Sequence, residues 1–150
     1  QLSSALPVLD TKYKGFVNGP TTTPTGVGGN SAGFADLSGN ELIRAPDWTL
    51  NLSGTFSMPI GGSELAIRGN YYHNDGFYWE PDNRLRQSAY DVVNASVSLA
   101  FGEDQRYKIR AFGKNLTKEN YGSLAVSTAL GDIISYAPPR TYGVALDFKF

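Results

Sequence analysis

Apolar and polar residues alternate with a period of two along five stretches of the chain. Such alternation places apolar side chains on one face of a β-strand and polar side chains on the other. The predicted strands cover residues 48–58, 63–72, 89–101, 106–114 and 141–150, preceded by a weaker one at about 2–14. Asp91 and Val92 depart from the alternation, near the start of the third of these five strands. The pattern predicts an all-β chain of about six strands.

Cations within the predicted strands lie on the polar face only. This face carries Arg68, Arg106, Lys108, Arg110, Lys114 and Lys149, together with Asp147. A Lys or Arg that faces lipid at the membrane midplane costs about 2–4 kcal/mol, so a transmembrane barrel excludes it from the outer face. A soluble β-sandwich would instead bury the apolar face in its core. Alternation alone is compatible with both architectures.

The connections between the predicted strands alternate in length. Long connections lie at about 15–47, 73–88 and 115–140, and short ones at 59–63 and 102–105. Transmembrane barrels have short periplasmic turns and long extracellular loops, whereas a sandwich has no such asymmetry. Strands of about 9–11 residues also suit a tilted crossing of the membrane. We therefore expect an antiparallel up-and-down meander that forms part of a larger transmembrane β-barrel.

Composition supports this interpretation and excludes several functions. The 17 Gly, 8 Pro and 9 Tyr favour strands, turns and interfaces over helices. A net charge of -1 gives no basic surface for nucleic acid. The absence of Cys excludes disulfides, thiolate zinc sites and cysteine nucleophiles. The Gly-, Thr- and Pro-rich segment between Phe16 and Pro46 has the composition of a mobile loop.

The stretch "DGFYWEPDNR" is the main candidate for ligand binding. Exposed aromatic rings beside guanidinium groups can stack on sugars or hold anionic siderophores, which makes Tyr78, Trp79, Arg84 and Arg86 the candidate residues. The alternative is an aromatic girdle at the membrane boundary, which is the favoured interpretation for Phe77 and Tyr78. For Trp79 the sequence leaves both interpretations open.

Other chemistry finds little support in the sequence. His73 is the single histidine, and scattered loop carboxylates around it lack a metal-ligand spacing, so we predict no metal and no cofactor. No catalytic triad or carboxylate pair is visible, and we predict no enzymatic activity. The cationic row from Arg106 to Lys114 could guide an anionic ligand or pair with acidic neighbours, and the second role is favoured.

Four stretches, in order, resemble the C-terminal end of the barrel of TonB-dependent outer-membrane receptors. They are "LDTKYKGF", "DLSGNELIRAPDWTLNLSGTF", "FGKNLTKENY" and "PPRTYGVALDFKF". The resemblance implies a barrel of about 22 strands with a plug domain inside it. It also implies energised uptake of a scarce nutrient (ferric siderophore, cobalamin or glycan) across the outer membrane of a Gram-negative bacterium.

The resemblance further implies the partners of the chain. These are outer-membrane lipid, a small-molecule ligand, the plug and earlier strands, the TonB complex acting through the plug, and the barrel-assembly machinery. That machinery recognises a terminal strand of alternating apolar residues, here Tyr142, Val144, Leu146, Phe148 and Phe150. Residues 1–150 carry neither plug nor earlier strands, and six strands are too few for a usual barrel of at least about 8. We therefore expect the C-terminal portion of a longer receptor.

Two alternatives remain at this stage. The first is a soluble β-sandwich that binds carbohydrate through Phe77, Tyr78 and Trp79. The second is an oligomeric outer-membrane barrel to which each copy contributes six strands.

Overall fold

The computed structural model describes residues 1–149 and consists of β-strands with one short 3-10 helix at Glu103–Gln105. In chain order the strands are β1 (Leu2–Ala5), β2 (Gly19–Pro24), β3 (Asn30–Ala35), β4 (Thr49–Ile60), β5 (Ser63–Tyr78), β6 (Arg86–Phe101), β7 (Tyr107–Lys114), β8 (Gly122–Thr128), β9 (Gly131–Tyr136) and β10 (Thr141–Phe148). Among these residues no helix is both long and apolar enough to cross a membrane.

Six strands form one antiparallel sheet in the order β1-β4-β5-β6-β7-β10. The remaining strands pair as two separate hairpins, β2 with β3 and β8 with β9. Each hairpin lies within one long connection between sheet strands, so neighbours in the sheet follow one another along the chain. The predicted six-stranded up-and-down meander is confirmed, and the sheet remains open between β1 and β10.

The register of the sheet places the apolar residues of all strands on one face. Phe56 pairs with Ile67, Ile67 with Val97, and Val97 with Ala111. The row continues to Val144 of β10. Polar residues occupy the other face, where Arg68 pairs with Thr55 and Ser96, and Arg110 pairs with Ser98. We call these two surfaces the apolar face and the polar face.

No second layer covers the apolar face among the described residues. Leu52 is 42% exposed, Val97 43% and Leu146 60%, although all three are large apolar side chains within long strands. A sandwich of the same strands would bury these residues in its core. The described residues therefore do not form the soluble β-sandwich that the alternation alone allowed.

The apolar face has the height of an outer-membrane hydrocarbon band. At the end with the short turns, Tyr107 stacks on Phe101 and meets Phe148 edge to face, with ring centroids 5.6 and 5.9 Å away. At the other end the first polar pair on this face is His73 with Asp91. Ten residues along β6 separate the two levels, which at ~3.3 Å per residue and a tilt near 45° gives about 23 Å. This agrees with the apolar band of about 25 Å in transmembrane barrels.

Connection lengths differ between the two ends of the sheet, as predicted. At one end β4 and β5 are joined by Gly61 and Gly62, whose φ angles of 53° and 83° are those of a tight hairpin turn. At the other end the prediction of a long connection at 73–88 was wrong in extent. Strands β5 and β6 continue in register to Tyr78 and Arg86, so the loop between them spans only residues 79–85.

The composition-based prediction of a mobile loop between Phe16 and Pro46 was also wrong in part. Residues 19–24 and 30–35 form the β2–β3 hairpin, in which Pro20 pairs with Phe34 and Thr22 with Ala32. Three consecutive threonines favour strand because their β-branched side chains suit an extended backbone. The weak first strand predicted at about 2–14 is shorter than expected, because β1 ends at Ala5 and only an isolated bridge joins Val8 to Trp48.

Phe112 is the one large aromatic residue of β7 on the polar face, and a glycine accommodates it. Its partner on β10 is Gly143, and a Cβ atom built at Gly143 would overlap the Phe112 ring. The ring therefore lies across the glycine of the neighbouring strand, an arrangement known as aromatic rescue. This contact joins β7 to the strand at the open edge.

We expect Gly143→Ala to destabilise the chain by about 1–3 kcal/mol, because the new methyl group displaces the Phe112 ring. Urea unfolding in detergent micelles measures the loss. Gly69→Ala is the matched control: it also lies inside a strand of the sheet, but a Cβ there meets nothing within 4 Å. Equal stabilities of the two variants would show that the contact between Phe112 and Gly143 does not stabilise the chain.

Candidate functional site

Three connecting segments meet at the end of the sheet that carries the longer connections. They are the β2–β3 hairpin, the loop between β5 and β6, and the β8–β9 hairpin. Polar side chains from all three converge, and we call this group the loop cluster. It consists of Thr22, Asn30, Glu80, Asp82, Arg84, Ser127 and Asp132.

Arg84 lies at the centre of the loop cluster. Its two terminal nitrogens donate to the two carboxylate oxygens of Asp132, each at 2.7 Å, which is the bidentate geometry that makes Arg–carboxylate pairs strong. Nη2 also donates to Ser127 Oγ at 2.8 Å and to Thr22 Oγ1 at 3.0 Å. One side chain from the β5–β6 loop thus binds both hairpins.

Further hydrogen bonds connect the same three segments. The Asn30 amide donates to Asp132 Oδ1 and to Ser127 Oγ, both at 2.9 Å. The Thr22 backbone N–H donates to Asp82 at 3.0 Å, and the Ser127 N–H donates to Glu80 Oε1 at 2.8 Å. Each hairpin is therefore bound to the β5–β6 loop and to the other hairpin.

The chain entering β4 is also bound to the β5–β6 loop. The Asn83 side-chain oxygen accepts a hydrogen bond from the Glu41 backbone N–H at 2.7 Å, and its amide nitrogen donates to the Glu41 carbonyl at 3.0 Å. The side-chain amide thus makes the two hydrogen bonds that the backbone of a neighbouring strand would make. Its φ of 54° lies in the left-handed region, which Asn tolerates better than most residues. The Arg44 N–H donates to the Tyr78 carbonyl at 2.8 Å. Three separate parts of the chain are consequently anchored to the β5–β6 loop.

Trp79 was predicted as an exposed ring and is instead 8% exposed. The Phe77 ring meets it edge to face at 4.8 Å, and the Arg44 guanidinium lies 5.1 Å from its centroid. Gly122 approaches it closely, since a Cβ there would be 3.0 Å from the indole. The ring is buried because Arg44 and Gly122 at the start of β8 cover it. The sequence alone does not reveal these contacts.

The other predicted ligand-binding residues have different environments. Arg84 is engaged by Asp132, so an anionic ligand that bound it would have to displace that carboxylate. Arg86 is exposed and its guanidinium lies 5.8 Å from the Tyr78 ring centroid. Tyr78 and Arg86 are paired in register at the ends of β5 and β6. The structure thus brings Tyr78 and Arg86 together, while Trp79 and Arg84 serve the packing of the loops.

The polar face contains a concavity of about 460 Å³. Its lining includes Arg68, Asn70, Asn94, Arg110 and Lys114. The Arg110 Nε atom is buried and makes no hydrogen bond within residues 1–149. A buried, unpartnered donor next to two further cations gives this surface the chemistry to bind a carboxylate or another anion.

The predicted assembly signal lies on the last strand of the sheet. Tyr142, Val144, Leu146 and Phe148 all point from β10 to the apolar face, in register with β7, and all are exposed. Phe150 lies outside the described residues. Recognition of this strand by the assembly machinery stays a prediction.

Sequence reasoning missed most of the loop cluster, because it treated the two hairpins as irregular loops. A signal was present for one of them. Residues 124–128 and 132–136 are rich in β-branched and apolar side chains on either side of "ALG", a hairpin pattern that would have placed Ser127 and Asp132 across from one another. Thr22 and Asn30 carried no such signal, since only their tertiary partners identify them.

Electrostatics in the loop cluster favours the ionised pair. Hydrogen bonds from Arg84 lower the pKa of Asp132 to about 2 against the opposing effect of desolvation, and the Asn30 amide adds to the lowering. The same pair raises the pKa of Arg84. A carboxyl whose pKa is lower in the folded state contributes its full stabilisation above its ordinary pKa of 3.8. The contribution disappears as the pH falls towards 2.

We expect the β8–β9 hairpin to stay ordered from neutral pH to about pH 4 and to loosen between about pH 4 and pH 2, as Asp132 takes up a proton. Hydrogen–deuterium exchange at residues 122–136, corrected for intrinsic rates, measures this. Asp132→Asn should exchange faster already at neutral pH and lack the acid transition. Asp104→Asn, in the turn at the opposite end, should follow the unmodified chain. Equal wild-type protection at pH 6 and pH 2 would contradict the assignment.

Comparisons with known proteins identify the fold. A protein-family model described as "TonB dependent receptor-like, beta-barrel" matches residues 9–116. No curated protein matches the sequence. Among solved structures, the ferric yersiniabactin uptake receptor FyuA from Yersinia pestis matches with a TM-score of 0.71 and 19% identity. The match covers 81% of this chain and 20% of that receptor.

A second similar structure is BauA, the ferric preacinetobactin receptor from Acinetobacter baumannii. Its TM-score is 0.63 at 18% identity, and the match covers 76% of this chain and 16% of BauA. At such identities the two structures show the fold alone, and this chain spans about a fifth or less of either one. The family match, however, extends over most of the chain and includes strands β4, β5, β6 and β7. The chain belongs to the TonB-dependent receptor β-barrel family.

Proposed function

We propose that residues 1–150 are the C-terminal part of a TonB-dependent receptor that takes up a ferric siderophore across the outer membrane of a Gram-negative bacterium. The observation that carries the proposal is the two-faced sheet. One face is apolar over about 23 Å and has no second layer over it within residues 1–149, and the other is polar and cationic. The similarity to the ferric yersiniabactin uptake receptor FyuA and the ferric preacinetobactin receptor BauA supports this choice over cobalamin or a glycan.

Each surface of the sheet then has a partner. Lipid covers the apolar face, and the earlier strands of the barrel pair with β1 and β10, whose outer edges are unpaired among the described strands. The plug faces the concavity around Arg110, where an acidic side chain would satisfy the buried Nε. TonB acts through the plug, and the barrel-assembly machinery binds β10. The chain itself carries out no chemical reaction.

The loop cluster contributes to ligand capture by preorganisation. An extracellular surface that is already ordered loses less conformational entropy when a ligand binds than separate flexible loops would. Arg84 and Asp132 hold two hairpins and the β5–β6 loop in one arrangement. Exposed Arg86 beside Tyr78 offers a cation and a ring to an anionic siderophore.

The membrane placement is tested by adjacent substitutions on β4. Phe56→Arg puts a cation on the apolar face near mid-height and should destabilise the folded barrel by about 2–4 kcal/mol in phospholipid vesicles. Ser57→Arg puts the same group on the polar face and should change stability by less than about 1 kcal/mol. Guanidinium unfolding titrations give both values. A larger cost at Ser57 than at Phe56 would reverse the assignment of the two faces.

The uptake function is tested in cells that carry the complete receptor with these residues. Iron starvation followed by addition of radiolabelled ferric siderophores should give TonB-dependent accumulation of iron. Arg84→Ala should weaken ligand binding roughly three- to tenfold, because the loops lose their common anchor. Arg106→Ala, at the opposite end of the sheet, should bind as the unmodified receptor does.

Labelled cobalamin and labelled oligosaccharides are the competing substrates in the same assay. Accumulation of either one in place of iron would replace the siderophore assignment. A receptor that inserts into the outer membrane and accumulates none of the three would refute the proposed uptake.

A further inference from the structure

A group of polar and aromatic side chains lies on the apolar face at its upper boundary. Asp91 Oδ1 accepts a hydrogen bond from the Tyr71 hydroxyl at 2.6 Å and lies 2.8 Å from His73 Nδ1. The His73 ring in turn stacks on Trp48, with centroids 4.2 Å apart and planes inclined by 25°. We call these four residues the outer-face cluster.

The register fixes the depth of the outer-face cluster. His73 pairs with Leu50 on one side and with Asp91 on the other, one row above the Tyr71–Val93 pair. From the stacked rings of Phe101 and Tyr107 this row is ten residues away along β6, or about 23 Å. The cluster therefore faces outward where the hydrocarbon band ends and lipid head groups begin.

An aromatic girdle by itself explains the two rings but not the carboxylate. Tyr71 and His73 both bond to Oδ1 of Asp91, while Oδ2 makes no hydrogen bond within residues 1–149. The Asp91 side chain is 43% exposed. Trp48 is likewise 38% exposed beyond its stack on His73. The outward surface thus combines a fixed, open acceptor with an aromatic ring.

This combination matches the chemistry of a sugar. Pyranose C–H groups pack on aromatic rings, and sugar hydroxyls donate to carboxylate oxygens. A phosphate group fits poorly, because Asp91 would repel it and no Lys or Arg side chain bonds to the cluster among the described residues. A metal ion fits poorly as well, since no three ligating side chains converge in residues 1–149.

We propose that the outer-face cluster binds the sugar head group of a glycolipid in the outer leaflet of the membrane. The inference rests on the proposed outer-membrane placement but not on the identity of the nutrient. Trp48 supplies the stacking surface, and Asp91, held by Tyr71 and His73, supplies the acceptor. Bound glycolipid then forms part of the annulus around the barrel next to β4, β5 and β6.

The experiment uses the complete receptor chain in phospholipid vesicles that contain a fluorescently labelled glycolipid whose sugar head group carries no phosphate, such as a monoglycosyl ceramide. After extraction into mild detergent and gel filtration, the label retained per receptor is measured. Trp48→Leu keeps an apolar side chain but removes the ring, and should lower retention about three- to tenfold. Phe56→Leu is the matched control, because it removes an exposed ring from the middle of the same face and should retain as much label as the unmodified receptor.

A second pair of variants addresses the acceptor. Asp91→Asn should lower retention several-fold, whereas Asp147→Asn on the polar face should not change it. Tyr71→Phe removes only the hydroxyl that holds Asp91 and should also lower retention. This variant tests the site even if Asp91→Asn fails to fold. The free sugar of the same head group in excess should compete for the label, and a phospholipid without sugar should not.

Heat-modifiable migration on gels identifies the folded, inserted barrel in every sample. Failure of the unmodified receptor to insert would refute the proposed function itself. Insertion with equal retention by Trp48→Leu, Tyr71→Phe and the unmodified receptor would overturn only the glycolipid site. Equal loss in Trp48→Leu and Phe56→Leu would overturn it too, because retention would then reflect apolar contact in general.

Discussion

The structure depends on the requirement that a large apolar surface without a second protein layer must be covered by lipid. The side chains of the apolar face would contribute about 25 cal/mol for each Å² removed from water, which in a soluble protein demands a core. The described residues form almost no such core, since the buried apolar residues among them are few and scattered. A bilayer replaces the missing layer. The strict separation of cations from this face follows from the same requirement.

Backbone hydrogen bonding imposes a second requirement. In lipid, unpaired N–H and C=O groups cannot be satisfied by water, so a strand at the edge of a membrane-embedded sheet needs a neighbour. The sheet has two such edges, at β1 and β10. The family match and the small share of FyuA and BauA that the chain covers agree with a larger closed barrel around these strands.

The sequence predicted the sheet well, because a period of two is a local signal that tertiary context reinforces. Every strand that crosses the band was placed with the correct face, including β7, where Lys108 and Arg110 alternate with apolar residues. Phe112 departed from the pattern, and the sequence could not resolve it. Its explanation is Gly143, about thirty residues further along the chain, and only the register shows that the two meet.

The loops were predicted less well for physical reasons. Composition suggested mobility between Phe16 and Pro46, yet Thr22 and Asn30 are held by partners far away in sequence. Trp79 looked like an exposed ligand platform because its cover, Gly122 and Arg44, comes from other segments. Arg84 was predicted to bind ligand, whereas its pairing with Asp132 was not predicted. Pairing across about fifty residues leaves no local pattern in the chain.

One register connects the membrane band to the sites above it. A slip of β7 by one residue would turn Lys108 and Arg110 towards lipid, at a cost that rises from about 0–1 kcal/mol near the interface to about 2–4 kcal/mol at the midplane, so the cations help to fix the pairing. That pairing sets the level of Asp91 at the upper boundary. Above this level β5 and β6 continue in the same register to Tyr78 and Arg86 and present Arg84 to both hairpins. The height of the loop cluster above the membrane is thus determined by side chains on the polar face of the sheet. Neither a lipid nor a ligand contacts these side chains from outside the barrel.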